Sequence, residues 1–170
     1  MNKILICGLN GSGKSTIGKE LSNILKYEYR DAEDYYFDKN NDYSTPRSKD
    51  EVCQLLYNDM MNYPNFIFSS VKGNYGSNVE SLFTCAIYIH VDKETRMKRI
   101  RKRSYLQFGD RMLEGGDLFE KEENFFNFVS NRDDDEVINW LNSLNIPIIQ
   151  IDGTLPINQI TKELYNKIIN

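Results

Sequence analysis

Short apolar runs alternate with helical patterns along this chain of 170 residues. Five runs have the length and the β-branched or aromatic content that is typical of buried strands: 3–7, 27–31, 65–71, 85–91 and 147–151. Apolar residues at helical spacing predict helices between and after them: one that begins near residue 15, then 48–61, 93–106, 118–144 with a break near 132–135, and 157–169.

Strands that alternate with helices predict an α/β fold, a three-layer sandwich whose parallel sheet has helices on both faces. We expect the crossover connections to be right-handed. Ligands of such sheets bind at the carboxyl ends of the strands. The chain contains no repeat and no linker-like segment, so residues 1–170 are predicted to form a single domain.

Composition narrows the functional classes. The net charge of −4 argues against nonspecific binding to nucleic acid. No apolar stretch approaches the roughly 20 residues of a membrane span, and the apolar run at the N-terminus is too short for a secretory signal. The three cysteines form no C-x-x-C pair and indicate buried thiols in a reducing compartment. We therefore expect a cytoplasmic protein, a monomer or a homodimer, with a small-molecule partner.

The turn between the first strand and the first helix matches the pattern G-x-x-x-x-G-K-[ST] at every fixed position. Such a backbone points several N–H groups at one small volume, which then holds an anion. We expect Lys14 to reach the β- and γ-phosphates of a nucleotide and the Ser15 hydroxyl to hold Mg²⁺. The residues predicted to bind the nucleotide here are Gly8, Asn10, Gly11, Ser12, Gly13, Lys14, Ser15 and Thr16.

An acidic run, Asp31-Ala32-Glu33-Asp34, follows the second predicted strand. Beside a phosphate chain, Asp31 is placed to hold Mg²⁺ directly or through water. Glu33 or Asp34 is placed to accept a proton from a phosphoryl acceptor or to orient it. The alternative is an acidic turn that caps a helix. An acceptor-binding segment is predicted around residues 33–62.

The helix predicted at 93–106 is strongly basic. A charge run on a helix is usually a solvated face, but Arg96, Arg99 and Arg103 share one side. Arginine suits the charge that develops in phosphoryl transfer, so we expect Arg99 and Arg103 to contact phosphates.

A segment with three glycines and Arg111 follows this helix. We call residues 104–117 the lid segment. It is predicted to close over ATP, bring in Arg111 and exclude water; the alternative is an ordinary surface loop.

With these motifs in place, the chain resembles the small P-loop kinases grouped around shikimate kinase, gluconate kinase and adenylate kinase, within the P-loop NTPase superfamily. The resemblance implies a strand order of 2-3-1-4-5, ATP with Mg²⁺, and closure of a lid. By the match to the D-x-D motif of shikimate kinase, Asp31 organises Mg²⁺ and Glu33 meets the acceptor. Asp152-Gly153-Thr154 after the fifth strand resembles the turn beside adenine; a plain strand-to-helix connection is its alternative reading.

Departures from the family pattern bear on the acceptor. Shikimate kinase has a glycine triplet after its third strand, whereas the sequence here is Ser69-Ser70-Val71-Lys72-Gly73. Its lid has an Arg-Pro pair, whereas Arg103 here is followed by Ser104. Both argue against shikimate itself. We expect an ATP-dependent kinase that acts on a small hydroxyl-bearing acceptor. A nucleoside or nucleotide kinase and a nucleotide-binding switch with slow ATP hydrolysis are the alternatives.

Overall fold

A computed structural model describes residues 1–37 and 46–169 of the chain. Five strands form one parallel sheet in the order β2-β3-β1-β4-β5. Their bounds are β1 Lys3–Cys7, β2 Glu28–Asp31, β3 Phe66–Ser69, β4 Cys85–His90 and β5 Ile148–Asp152. The predicted α/β class and the strand order that the resemblance implies are confirmed.

Helices cover both faces of the sheet in the described part of the chain. Their bounds are α1 Lys14–Leu25, α2 Ala32–Tyr36, α3 Lys49–Asn62, α4 Ser77–Glu80, α5 Lys93–Phe108, α6 Phe119–Ser130, α7 Asp134–Asn142 and α8 Ile157–Ile169, with a 3₁₀ helix at Gly109–Met112. None of the described helices is long and apolar enough to cross a membrane.

Alternation along β1 explains the three layers, because successive side chains of a strand point to opposite faces. Ile4 and Ile6 pack with residues of α1 and α8. Leu5 and Cys7 pack with residues of α3 and α7 on the other face. A parallel strand that is buried on both faces reads as a continuous apolar run, which is how β1 reads.

Several element bounds differ from the predicted ones. The basic helix α5 continues two residues beyond its predicted end and stops at Gly109, whose φ of 57° suits a helix end. The first part of the lid segment, 104–108, is therefore helical. Met112 of the 3₁₀ helix packs on Ile100, Phe126 and Val129, so the lid segment joins a small apolar cluster of its own. The short helices α2 and α4 were not predicted.

Candidate active site

The glycine-rich loop lies between the end of β1 and the start of α1, at the carboxyl edge of the sheet. Its glycines are required by space as well as by conformation. Gly8 has a φ of 144°, and a Cβ there would lie 2.4 Å from the carbonyl oxygen of Ile89. Gly11 has a φ of 82°, and its Cβ would lie 2.7 Å from the carbonyl oxygen of Arg96. The loop can therefore curl against β4 and α5 only with glycine at these positions.

Lys14 begins α1 and faces the cavity beside the loop. Its ammonium donates a hydrogen bond of 3.0 Å to the carbonyl oxygen of Leu9. Burial lowers the pKa of Lys14 to about 8, and the nearby carboxylate of Asp31 opposes that shift. Among the described residues no carboxylate forms an ion pair with Lys14, and a desolvated cation of this kind is well suited to bind an anion.

Asp31, at the end of β2, connects that strand to the start of α1 at the glycine-rich loop. Its Oδ2 accepts hydrogen bonds from Ser15 Oγ at 2.6 Å and from the Tyr29 hydroxyl at 3.0 Å. Burial raises the pKa of Tyr29, so the phenol keeps its proton and remains a donor. Ser15 and Asp31, both predicted at the metal site, are thus in direct contact.

The acidic run after β2 also caps α2. Asp31 Oδ1 accepts from the Glu33 amide at 3.2 Å, and Asp34 Oδ2 accepts from the Asp31 amide at 3.2 Å. The Asp31 side chain also accepts from the amide of Asp34, and this bond and the reciprocal one from the Asp31 amide to Asp34 form a capping box. Glu33 lines the cavity, whereas Asp34 is not among its lining residues. The geometry therefore favours Glu33 over Asp34 as the acid that faces an acceptor.

Three of the four arginines of α5, Arg96, Arg99 and Arg103, lie at the glycine-rich loop or at the cavity. Arg96 is buried. Its guanidinium donates to the carbonyl oxygens of Val91 at 3.1 Å and Asn10 at 3.4 Å, and these bonds stabilise the glycine-rich loop. Arg99 donates to the carbonyl oxygens of Gly153 at 3.0 Å and Gly11 at 3.4 Å. Arg99 and Arg103 both line the cavity, and their contact with phosphates stays a prediction.

Arg111 of the lid segment lies away from the cavity lining in this conformation. Its guanidinium donates to both carboxylate oxygens of Asp117, at 2.9 and 2.6 Å. The pair is exposed, and such pairs contribute little to stability. A contact of Arg111 with bound phosphates therefore requires the lid segment to move.

The turn Asp152-Gly153-Thr154 lies directly against the glycine-rich loop. A Cβ on Gly153 would meet the carbonyl oxygen of Ser12 at 2.7 Å. Asp152 Oδ1 accepts from the amide of Thr154 at 2.8 Å and from its hydroxyl at 2.6 Å. The predicted turn is therefore a neighbour of the phosphate loop, although its residues do not line the cavity.

A cavity of about 610 Å³ opens at this edge of the sheet, a volume typical of small-molecule sites. Its polar and charged lining residues come from six segments distant in sequence: Asn10, Lys14, Ser15, Thr16, Asp31, Glu33, Tyr36, Lys49, Ser70, Lys72, Asn74, Tyr75, Arg99, Arg103 and Arg132. The cavity thus brings together the glycine-rich loop, the acidic run and two arginines of the basic helix.

Arg132, between α6 and α7, gave only a weak signal in the sequence. Its Nη1 donates to the Asn10 side-chain oxygen at 2.7 Å, and its guanidinium lies 4.9 Å from the centre of the Phe128 ring. Its charge helps to lower the pKa of Lys14, which places both cations near one volume. A lone arginine at a helix break has no local pattern that separates it from a solvated residue.

The donor set near Ser15 fits Mg²⁺. Ser15 gives its proton to Asp31 and keeps oxygen lone pairs for a hard cation. In the described residues, no group of three or more His, Cys, Asp and Glu side chains could hold a metal. Magnesium is commonly held by one or two protein groups together with substrate phosphates, which is what this arrangement offers.

Comparison with protein families matches residues 4–124 to the family described as AAA domain. The chain is also 27% identical over 165 residues to "Uncharacterized protein YqaC" of Bacillus subtilis (strain 168). That alignment covers 92% of this chain and 91% of that protein.

Solved structures of small kinases have the same fold. Deoxyadenosine kinase from M. mycoides, with bound dATP, has a TM-score of 0.61 at 20% identity and covers 99% of this chain and 100% of its own. Shikimate kinase from Acinetobacter baumannii, in complex with shikimate, has a TM-score of 0.58 at 12% identity, and the alignment covers 99% of this chain and 93% of that one. A sugar kinase from Janibacter sp. HTCC2649 has a TM-score of 0.57 at 16% identity, and the alignment covers 98% of this chain and 93% of that one. This chain belongs to the AAA domain family and has the fold of the small P-loop kinases.

Proposed function

We propose that this protein is an ATP-dependent kinase that transfers the γ-phosphoryl group to a hydroxyl group of a small acceptor. One observation carries the proposal: Lys14, the Ser15–Asp31 pair and the Glu33 carboxylate line one cavity of about 610 Å³. A phosphate-binding loop alone indicates only that a nucleotide binds. A carboxylate in the same cavity supplies what transfer to a hydroxyl needs.

Each group has a role in that reaction. Lys14 leaves the Leu9 carbonyl oxygen and binds the β- and γ-phosphates. Ser15 and Asp31 would hold Mg²⁺, which when bound neutralises charge on the phosphates. Glu33 orients the acceptor hydroxyl and accepts its proton. The acceptor oxygen then bonds to the γ-phosphorus while the bond from phosphorus to the β–γ bridging oxygen breaks and ADP leaves.

Arginines stabilise the charge that spreads over the transferring group. Arg103 and Arg132 line the cavity and are the best placed, and Arg111 joins them when the lid segment closes. Arg99 remains bonded to the backbone of the loop and of the turn after β5. Closure also excludes water, which would otherwise accept the phosphoryl group.

A nucleoside or nucleotide kinase is the second candidate. The fold match with deoxyadenosine kinase from M. mycoides favours it, since that structure aligns over the whole chain. The two candidates differ in the acceptor that they use and share the roles of the loop residues.

An ADP-release assay with Mg·ATP and a panel of metabolites, nucleosides and monophosphates tests the proposal. We expect acceptor-dependent ADP production that Lys14→Ala lowers about 10²- to 10³-fold, while Lys19→Ala, an exposed residue on the same helix, leaves it unchanged. ADP release that no acceptor stimulates would instead support a nucleotide-binding switch. Wild-type transfer by Lys14→Ala would refute the assignment of the loop.

A further inference from the structure

The cavity has a charge opposite to that of the protein. The chain as a whole carries a net charge of −4, but among the residues that the structure describes, six basic side chains line the cavity against two acidic ones, Asp31 and Glu33. This excess of four positive charges faces a single volume. A cleft lined by one sign of charge concentrates ligands of the opposite sign.

Bound Mg·ATP would match only part of this excess, because it carries about two negative charges. Lys14, Arg99, Arg103 and Arg132 surround the phosphate-loop end and are sufficient for the nucleotide. The two remaining cations are Lys49, the first residue of α3, and Lys72, in the segment after β3. They line the cavity together with Glu33, Tyr36 and Asn74, outside the glycine-rich loop, and we take this part of the lining as the acceptor side.

The backbone that carries Lys49 is fixed, and its side chain is exposed and has no carboxylate partner among the described residues. It is the first residue of α3, and Ser48 and Glu51 fix that helix end by a capping box. The Glu51 carboxylate is occupied by the amide and hydroxyl of Ser48. Asp50 is adjacent in sequence, and neighbours at this spacing do not face each other on a helix. Within residues 1–37 and 46–169, Lys49 forms no ion pair.

Lys72 has a partner that is easily displaced. Its ammonium lies 3.0 Å from Glu136 Oε2 of α7. The Lys72 side chain is 26% exposed, but that of Glu136 is 74% exposed and does not line the cavity. An exposed carboxylate of this kind contributes little to the pair and can be exchanged for a ligand anion.

We infer that the phosphoryl acceptor of the proposed kinase carries an anionic group, a carboxylate or a phosphate, which Lys49 and Lys72 bind while Glu33 faces its hydroxyl. The inference rests on the proposed function and narrows its acceptor class. Because the Glu136 carboxylate competes with the ligand for Lys72, removing the charge of Glu136 strengthens acceptor binding. Removing either lysine weakens it.

Matched pairs of acceptors test the inference and separate the two anions. Gluconate is compared with glucitol, and nucleoside monophosphates are compared with their nucleosides, in the ADP-release assay and in thermal-shift titrations without Mg·ATP. We expect the anionic member of at least one pair to have a kcat/KM at least about tenfold higher and to stabilise the free protein. Preference for the neutral members would overturn the inference.

Variants identify the residues that carry the preference. Lys49→Met and Lys72→Met should raise the KM for the anionic acceptor about 10- to 100-fold with little change in kcat. Glu136→Gln should lower that KM, and Lys98→Met, an exposed lysine on α5 that pairs with Glu94, should not change it. Equal KM values in all four variants would contradict the assignment.

The two experiments keep the two proposals apart. Absence of acceptor-dependent ADP release refutes the kinase function, and the thermal-shift arm still tests anion binding. Stabilisation by the anionic probes that is lost in Lys49→Met supports the acceptor site by itself. Absence of such stabilisation in the wild type, together with turnover of a neutral acceptor, refutes the anionic acceptor and leaves the kinase in place.

Discussion

Tyr29 is expected to position Asp31 for the metal, and Tyr29→Phe removes only the atom that does so. The phenol hydroxyl donates to Asp31 Oδ2 at 3.0 Å, the oxygen that also accepts from Ser15 at 2.6 Å. The ring that remains in the variant still packs against Gly18, where even an added Cβ would lie 2.5 Å from it. The substitution therefore removes the hydrogen bond to Asp31, together with the polar interactions of the hydroxyl with Ser69 and Ser15, and conserves the packing.

The size of the effect follows from the charge and the exposure of Asp31. A hydrogen bond to a charged group contributes about 1.5–3 kcal/mol when the groups are buried. Asp31 is partly exposed, so water replaces part of the lost bond, and we expect about 1 kcal/mol. That corresponds to a roughly fivefold increase in the Mg²⁺ concentration needed for half-maximal activity at fixed ATP.

A Mg²⁺ titration of ADP release measures this effect, and Tyr27→Phe is the matched control. The Tyr27 hydroxyl also takes part in a hydrogen bond, with the side-chain amide of Asn2 at 2.9 Å, but far from the loop. Both variants should lose some stability, whereas only Tyr29→Phe should shift the Mg²⁺ dependence. A Mg²⁺ curve for Tyr29→Phe that coincides with the wild-type curve, or an equal shift in Tyr27→Phe, would refute the reasoning.

Three further predictions concern α1, the loop lysine and Arg132. Gly18→Ala should lower the free energy of unfolding by about 1–2 kcal/mol in urea titrations, because overpacking against Tyr29 outweighs the helix propensity of alanine. Lys19→Ala should leave the free energy of unfolding unchanged, and a Gly18→Ala variant that is more stable than the wild type would contradict the close approach of Gly18 to the Tyr29 ring. Since the pKa of Lys14 is lowered to about 8 and bound phosphate raises it, ATP binding takes up a proton and the Kd should rise as pH increases above 8. Calorimetry in buffers of different ionisation enthalpy measures that uptake, and a Kd independent of pH from 7 to 9 would exclude it. Arg132→Met should lower kcat about 10- to 100-fold while the melting temperature stays near that of the wild type; an unchanged kcat would remove Arg132 from the site.

Much of the site could be read from the sequence because its main parts are contiguous. The glycine-rich loop is a single run, and the strand before it and the helix after it have clear periodicity. The acidic run after β2 was found for the same reason. Its two interpretations, a metal and acceptor site or a helix cap, are compatible, since Asp31 uses one oxygen for the cap and the other for Ser15.

Other parts have no local signature. The helix α2 has five residues, too few for a helical period to be recognised. The acceptor segment predicted at 33–62 is described apart from residues 38–45, which lie outside the described part of the chain. A row of arginines on one helix face did not reveal that Arg96 is buried under the loop while Arg103 faces the cavity, because that difference depends on the neighbours of α5.

The sequence by itself determined the phosphate loop, the α/β class and the acidic run, since backbone conformation and hydrophobic period are local properties of a chain. Only the tertiary structure decided which charges meet. Arg132 reaches Asn10 across 122 positions, and Lys72 pairs with Glu136 across 64. The positive cavity in an acidic protein results from those distant approaches, because a charge acts over distance in space rather than along the chain.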